Sequence, residues 1–250
     1  MPTPVAELPC HHCIARSTTL CAGLEIKHMP RLFALAIEEA YAAGAQVVPE
    51  ESPAKSVINL RSGHALVSRL AADGKRQILA FLFPGDFFGL TSEDNYHYSV
   101  TALTDVTLCR FARTGLEVLI LDFPMMDRRL RFLLTRLLDS ANELIFSLGR
   151  KTALQKVASF IWYVSYRNRK LGQPDNPVQL PMQRSDIADF MGLTVETVSR
   201  SLTQLKRSGV LRMPRPDLIE IVDQAQLRVV GVVVAEPSSR RDTERRPNKV

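Results

Sequence analysis

Leu130, Leu134, Leu137, Ala141, Leu144 and Leu148 follow one another in alternating steps of four and three residues, without a fault. That spacing keeps six apolar side chains on one stripe of an α-helix, and the heptad it traces is the pattern by which a helix pairs with its own copy. Residues 115–149 are therefore expected to form a dimerisation helix, capped at Thr114 and broken once at Pro124. Ala141 lets two backbones approach closely at mid-seam. Packing of the stripe against its own domain is the alternative use of the same spacing.

Upstream of this segment the apolar period falls from 3.6 to two. Ser56–Leu60, Ala65–Leu70, Arg76–Phe83 and Val100–Phe111 read as strands, separated by turns at Gly63, Gly74, Gly85 and Gly89. Asp73-Gly74 is the strongest hairpin signal among them. Short strands at this spacing indicate an antiparallel roll or barrel. Residues 31–41 are expected to add a short helix, and residues 152–166 another, buried through Ala153, Val157, Phe160, Ile161 and Val164. Residues 236–250, rich in Arg, Ser, Pro and Glu, read as a disordered tail. The expected class is α+β.

The net charge of +6 is unevenly placed. Residues 150–170 hold six basic groups and no acid, and residues 183–216 hold six basic against three acidic groups. Those two stretches exceed the total, so the rest of the chain is net acidic, as for a nucleic-acid-binding unit joined to a separate sensor. Within the basic region Ser185 is placed to cap a short helix with Ile187, Ala188 and Met191 inward. Gly192 ends it, and Thr194 caps a second helix over Val195–Ser208 with Val198, Leu202 and Leu205 inward. This is the geometry of a helix-turn-helix.

On its outer face the second helix carries Val195, Glu196, Thr197, Ser199, Arg200 and Thr203. Arg can fork onto guanine, Glu can accept from cytosine N4, and Ser can reach base or phosphate. Arg184 joins this set, and the segment from Val210 to Val222 reads as a β-hairpin wing.

No run approaches the ~18 apolar residues of a membrane helix, and the N-terminus lacks the pattern of a signal peptide, so a cytoplasmic location with no membrane contact is expected. No phosphate-binding glycine loop, nucleophile elbow or paired-acid arrangement points to an enzyme. The four cysteines, Cys10, Cys13, Cys21 and Cys109, are then candidates for metal or redox chemistry rather than disulfides. A 4Fe-4S cluster takes four thiolates; tetrahedral zinc takes four as well, or three with His11, His12 or His28. Spacing alone leaves the metal open.

Met182-Gln183-Arg184-Ser185-Asp186-Ile187, followed by Gly192-Leu193-Thr194-Val195-Glu196-Thr197-Val198-Ser199-Arg200, resembles the DNA-binding signature of the CRP/FNR family. Glu196, Ser199 and Arg200 match its FNR and FixK branch, and Pro84-Gly85-Asp86-Phe87-Phe88-Gly89 is similar to its β-roll motif. The resemblance implies a cyclic-nucleotide-binding-like β-roll, a long dimerisation helix and a C-terminal winged helix-turn-helix. It implies a homodimer reading TTGAT-type inverted repeats in double-stranded DNA, with RNA polymerase as a further partner. For the cysteines it implies a 4Fe-4S cluster and control of anaerobic or microaerobic gene expression. A zinc or thiol switch on the same fold, or an iron-sulfur redox protein, are the alternatives. No arginine lies between Gly89 and Arg110 to hold a cyclic phosphate, which argues against nucleotide sensing.

The expected organisation is a cysteine-rich loop (1–30), a β-roll (31–114), the dimer helix (115–149), a winged helix-turn-helix (150–232) and the tail. Cys109 lies shortly before the dimer helix, so a cluster ordering the N-terminal loop against that helix would bias dimerisation. Asp139 and Glu143 flank the seam, and their mutual repulsion is expected to weaken association without the cluster.

Overall fold

The computed structural model describes Cys10 and residues 12–231. The expected tail and the candidate ligand His11 lie outside the described residues. The first part is a roll of two antiparallel four-stranded sheets. One has the order β1 (Ala36–Tyr41), β8 (Val106–Ala112), β3 (Ser56–Ser62), β6 (Phe87–Phe88). The other runs β2 (Gln46–Val48), β7 (Ser99–Ala102), β4 (Ala65–Leu70), β5 (Arg76–Leu82). Ile58, Leu60, Val67, Val100, Val106 and Leu108 are buried between them.

Alternation along β3 decides what its other face does. Ile58 and Leu60 point into the roll, so Val57, Asn59 and Arg61 share the opposite face. Val57 there joins a second apolar cluster with Leu20, Leu24, Met29, Leu32, Phe111, Leu116, Leu119 and Met126. This cluster is the seat of the N-terminal segment. From Cys13 onward that segment is ordered into 3-10 turns at Leu20–Gly23 and Ile26–His28 and the one-turn helix α1 (Met29–Phe33). The cysteine-rich loop thus packs its leucines on the roll and the following helices.

The helix expected over residues 31–41 is corrected too. It stops at Phe33, and Ala36–Tyr41 pairs along β8 as an edge strand. Glu38-Glu39-Ala40 favours helix locally, but Glu39 meets Arg110 at 2.9 Å and Glu38 meets Arg61 at 2.7 Å across strands, and pairing overrides propensity. Val100–Phe111 is two strands, β7 and β8.

After β8 the chain enters α2 (Arg113–Asp122), then α3 (Pro124–Arg150) with proline in its first turn. Thr114 does not cap: β8 runs directly into the helix at Ala112, which offers no side-chain cap. Along α3, Leu137 and Leu138 are each 60% exposed and Ile145 67%, whereas Leu130 packs into the loop cluster. The outward stripe is thus wider than the heptad, with Phe132, Leu134, Phe146 and Leu148 also exposed. Glu143 pairs with Lys151, Nζ to Oε1 2.9 Å, which offsets its negative charge beside the seam.

The last unit consists of α4 (Ala153–Lys170), β9 (Val178–Gln179), α5 (Arg184–Met191), α6 (Val195–Arg207), β10 (Leu211–Arg215), β11 (Leu218–Ile221) and α7 (Gln224–Gly231). Its core of Val157, Ile161, Ile187, Val198, Leu202 and Ile219 continues into the roll through Ile78, Phe81 and Phe83. Ion pairs from Arg76 to Asp186 and from Arg167 to Asp86, at 2.6 and 2.7 Å, close the same boundary.

Candidate metal centre and nucleic-acid interface

The strand register brings Cys109 opposite Glu38 on one side and Asn59 on the other. These three share the face of the sheet that the N-terminal segment covers. Cys10, Cys13 and Cys21 come down onto it, and all four cysteines line one cavity with Glu38, Asn59, Arg61 and Arg16. None forms a disulfide. Burial pushes the Cys21 thiol up to about 11 and the Cys109 thiol up to about 12. Burial also raises Cys10, and the neighbouring Cys13 adds to it.

Asn59 is only 3% exposed; its Nδ2 donates to the Cys21 Sγ at 3.4 Å, while its Oδ1 has no partner. Asn59 thus turns a donor toward the sulfur that lines the cavity. Among the described residues, no three His, Cys, Asp or Glu side chains are gathered tightly enough for a single metal ion. The candidate ligands His12 and His28 do not line the cavity. Glu38, Asn59 and Arg61 were not singled out in the sequence, although a polar residue at every second position of an apolar strand was a visible signal.

The segment carrying Cys21 is held from its other side by α3. The Arg129 guanidinium donates to the carbonyls of Ser17, Thr18 and Thr19 at 3.2, 2.6 and 3.0 Å. Thr19 in turn accepts the backbone N–H of Cys21 on its hydroxyl, 3.2 Å. Gly23 lies so close to the helix that an added Cβ would fall 2.8 Å from the Met125 carbonyl oxygen and the Met126 Cα.

In the helix pair, α5 is capped by Gln183 rather than Ser185. Gln183 stands at the N-cap position, and Asp186 Oδ2 accepts its backbone N–H at 2.9 Å, one half of a capping box. Gly192 then takes the left-handed conformation, φ 60°, that lets the chain leave the helix sharply. Thr194 caps α6 through Thr197 N, 3.2 Å, and Val198, Leu202 and Leu205 are buried as expected.

The outer face of α6 presents Val195, Glu196, Arg200 and Thr203 to solvent, while Thr197 and Ser199 are half-buried. Arg184 reaches Ser199, Nη1 to Oγ 3.2 Å, so two of the candidate contact residues lie side by side. The Thr203 hydroxyl donates to the Ser199 carbonyl. Ser199, Arg200, Thr203, Gln204 and Arg207 line one open groove. The N-terminal backbone of α6 and the Thr194 hydroxyl hold the Glu196 carboxyl below its ordinary range, which keeps it an acceptor.

Residues 155–230 match the Crp-like helix-turn-helix domain and residues 38–122 the cyclic nucleotide-binding domain. The nitrogen fixation regulation protein FixK of Bradyrhizobium diazoefficiens is 34% identical over 89% of this chain and 93% of its own length. The chain belongs to the CRP/FNR family. Within that family it stands on the FixK branch, as a transcription regulator rather than an enzyme. The transcriptional activatory protein AadR of Rhodopseudomonas palustris is 36% identical over 85% of this chain and 88% of its own. The solved structure of FixK2 from Bradyrhizobium japonicum is 33% identical, has a TM-score of 0.73, and covers 80% of this chain and 99% of that one. No helix among the described residues is long and apolar enough to cross a membrane.

Proposed function

We propose that this CRP/FNR protein activates genes of anaerobic or microaerobic growth by binding, as a homodimer, TTGAT-type inverted repeats under the control of a 4Fe-4S cluster. One observation carries the sensory half: four thiols, three near the N-terminus and one on the last strand of the roll, line a single cavity. The donor set is that of an iron-sulfur cluster, and the Asn59 Nδ2 beside Cys21 supplies an N–H of the kind that hydrogen-bonds a ligating sulfur. When bound, the cluster supplies an oxygen-reactive centre whose loss frees all four thiols.

The chain's own residues do the rest. Cys10, Cys13 and Cys21 fasten the N-terminal segment to Cys109, and that segment rests on α3. The exposed stripe of α3 is suited to a second copy, because a heptad is self-complementary. Two copies so joined hold their α6 helices about one DNA turn apart, ~34 Å. Arg200 reads guanine, Glu196 and Ser199 complete the half-site, and Val195, Thr197, Thr203 and Arg184 surround them. Relatives named as activators support a contact with RNA polymerase.

The test is a gel shift on an inverted-repeat duplex with full-length protein isolated without air. Brown protein with about four irons per chain, whose binding is lost on exposure to air or in Cys109→Ser, is the expected result. Iron-free protein that binds equally well with all four cysteines changed to serine overturns the sensory half. Colourless protein carrying one zinc reassigns the metal.

A further inference from the structure

The sensor segment and the dimer helix meet at one side chain. Arg129 lies one residue before Leu130, which faces the loop cluster, and five before Leu134, which faces outward. Its guanidinium spans three successive carbonyls, those of Ser17, Thr18 and Thr19, and the last of these residues holds the Cys21 amide. Two nitrogens of one planar fork share the three carbonyls, donors spread wider than those of an ammonium, whose three leave a single atom. The same guanidinium lies over the ring of Phe132, 5.2 Å from its centroid, and Phe132 is exposed on the helix. One residue thus touches the cysteine segment and the outward surface of α3.

We propose that Arg129 is the coupling residue through which the order of the cysteine segment and the pairing of α3 control one another. The proposal rests on the sensory reading above for its biological sense, but the linkage itself does not need the metal. Pairing fixes the outer face of α3, fixes the Arg129 fork, and so holds Ser17–Cys21 closed. By reciprocity, fastening that segment through its cysteines favours pairing by the same factor. Gly23, pressed against Met125 and Met126, supplies contact area but no directional bond. The directional part falls to Arg129.

The experiment follows maleimide labelling of Cys21, resolved by peptide mass spectrometry, in iron-free full-length protein across its monomer–dimer concentration range. Sedimentation velocity records the dimer fraction. In the wild type, labelling is expected to slow about tenfold as the dimer forms, within the usual range of coupling between sites. In Arg129→Gln it should stay within about twofold at all concentrations while the dimer still forms at high concentration. Concentration-dependent protection that survives in Arg129→Gln overturns the proposal, as does wild-type labelling indifferent to dimerisation.

Should Arg129→Gln fail to fold by circular dichroism, Arg129→Lys carries the test. It is expected to lose most of the protection, and full protection in it overturns the proposal. Iron content of the anaerobic wild type is read separately. A protein without iron would sink the cluster reading and leave this one to the labelling result.

Discussion

Arg76, on the outer hairpin of the roll, places its Nη2 2.6 Å from Oδ1 of Asp186, 110 positions further along the chain. Asp186 also caps α5 through Gln183, and the same arginine reaches Asp189 through Nε at 2.9 Å. Gln77 beside it donates to the Asp189 carbonyl. The first two residues of β5 therefore grip the first helix of the helix-turn-helix. Arg76→Ala is expected to cost about 1 kcal/mol of stability by urea denaturation, since the pair is partly solvated, and Asp186→Ala about 2 kcal/mol because the cap goes with it. Equal costs for the two variants would show that the cap contributes nothing.

At the reading surface, Arg200→Ala should weaken binding to the cognate inverted repeat by about 1 to 3 kcal/mol and leave binding to scrambled DNA nearly unchanged. Gel shifts on the two duplexes at one salt concentration compare the terms directly. Parallel losses would assign Arg200 to phosphate.

The stripe on α3 invites a charge test. Leu138→Glu places a carboxylate on the exposed stripe of each copy and removes a leucine whose burial is worth about 1.5–3 kcal/mol per chain. Monomeric protein by sedimentation, with a normal thermal transition for the fold, is the expected outcome. Dimers that persist unchanged would move the interface elsewhere.

His64 gives the pH dependence. Burial lowers its pKa, the nearby Arg167 lowers it further, and its ring packs edge-on against Phe83 at 5.3 Å. A depressed imidazole contributes stability fully above the unfolded value of ~6.5 and loses it as pH falls through the folded value. Denaturant midpoints should thus decline below pH ~6.5 in the wild type, and His64→Gln should flatten that part of the curve. An unchanged slope in the variant would clear His64 of the effect.

The helix-turn-helix was legible because its signals are local: Gly192 and Thr194 each act within one turn of chain. The roll's inner strands were legible through period two and glycine turns. What escaped notice depends on partners far along the polymer. β1 looked helical because Glu38 and Glu39 only make sense as strand residues whose ion-pair partners, Arg61 and Arg110, lie on strands far along the chain. The Gln183 cap was missed because glutamine is an uncommon first choice there, and Ser185 stood two places away with a better propensity. At the cysteines, sequence named the four sulfurs but neither Asn59 nor Arg129. The first needed the register of β3 against β8, and the second the docking of a 3-10 turn on α3.

Leu148, at the end of the α3 stripe, lies 3.7 Å from the position a side-chain carbon on Gly192 would take. The rod that joins two copies therefore abuts the bend between the two reading helices, without an intervening linker. Adding one base pair between operator halves demands a rotation of ~34° between the heads. A direct seat of leucine on glycine offers little slack to absorb it, so this regulator should be strict about operator spacing.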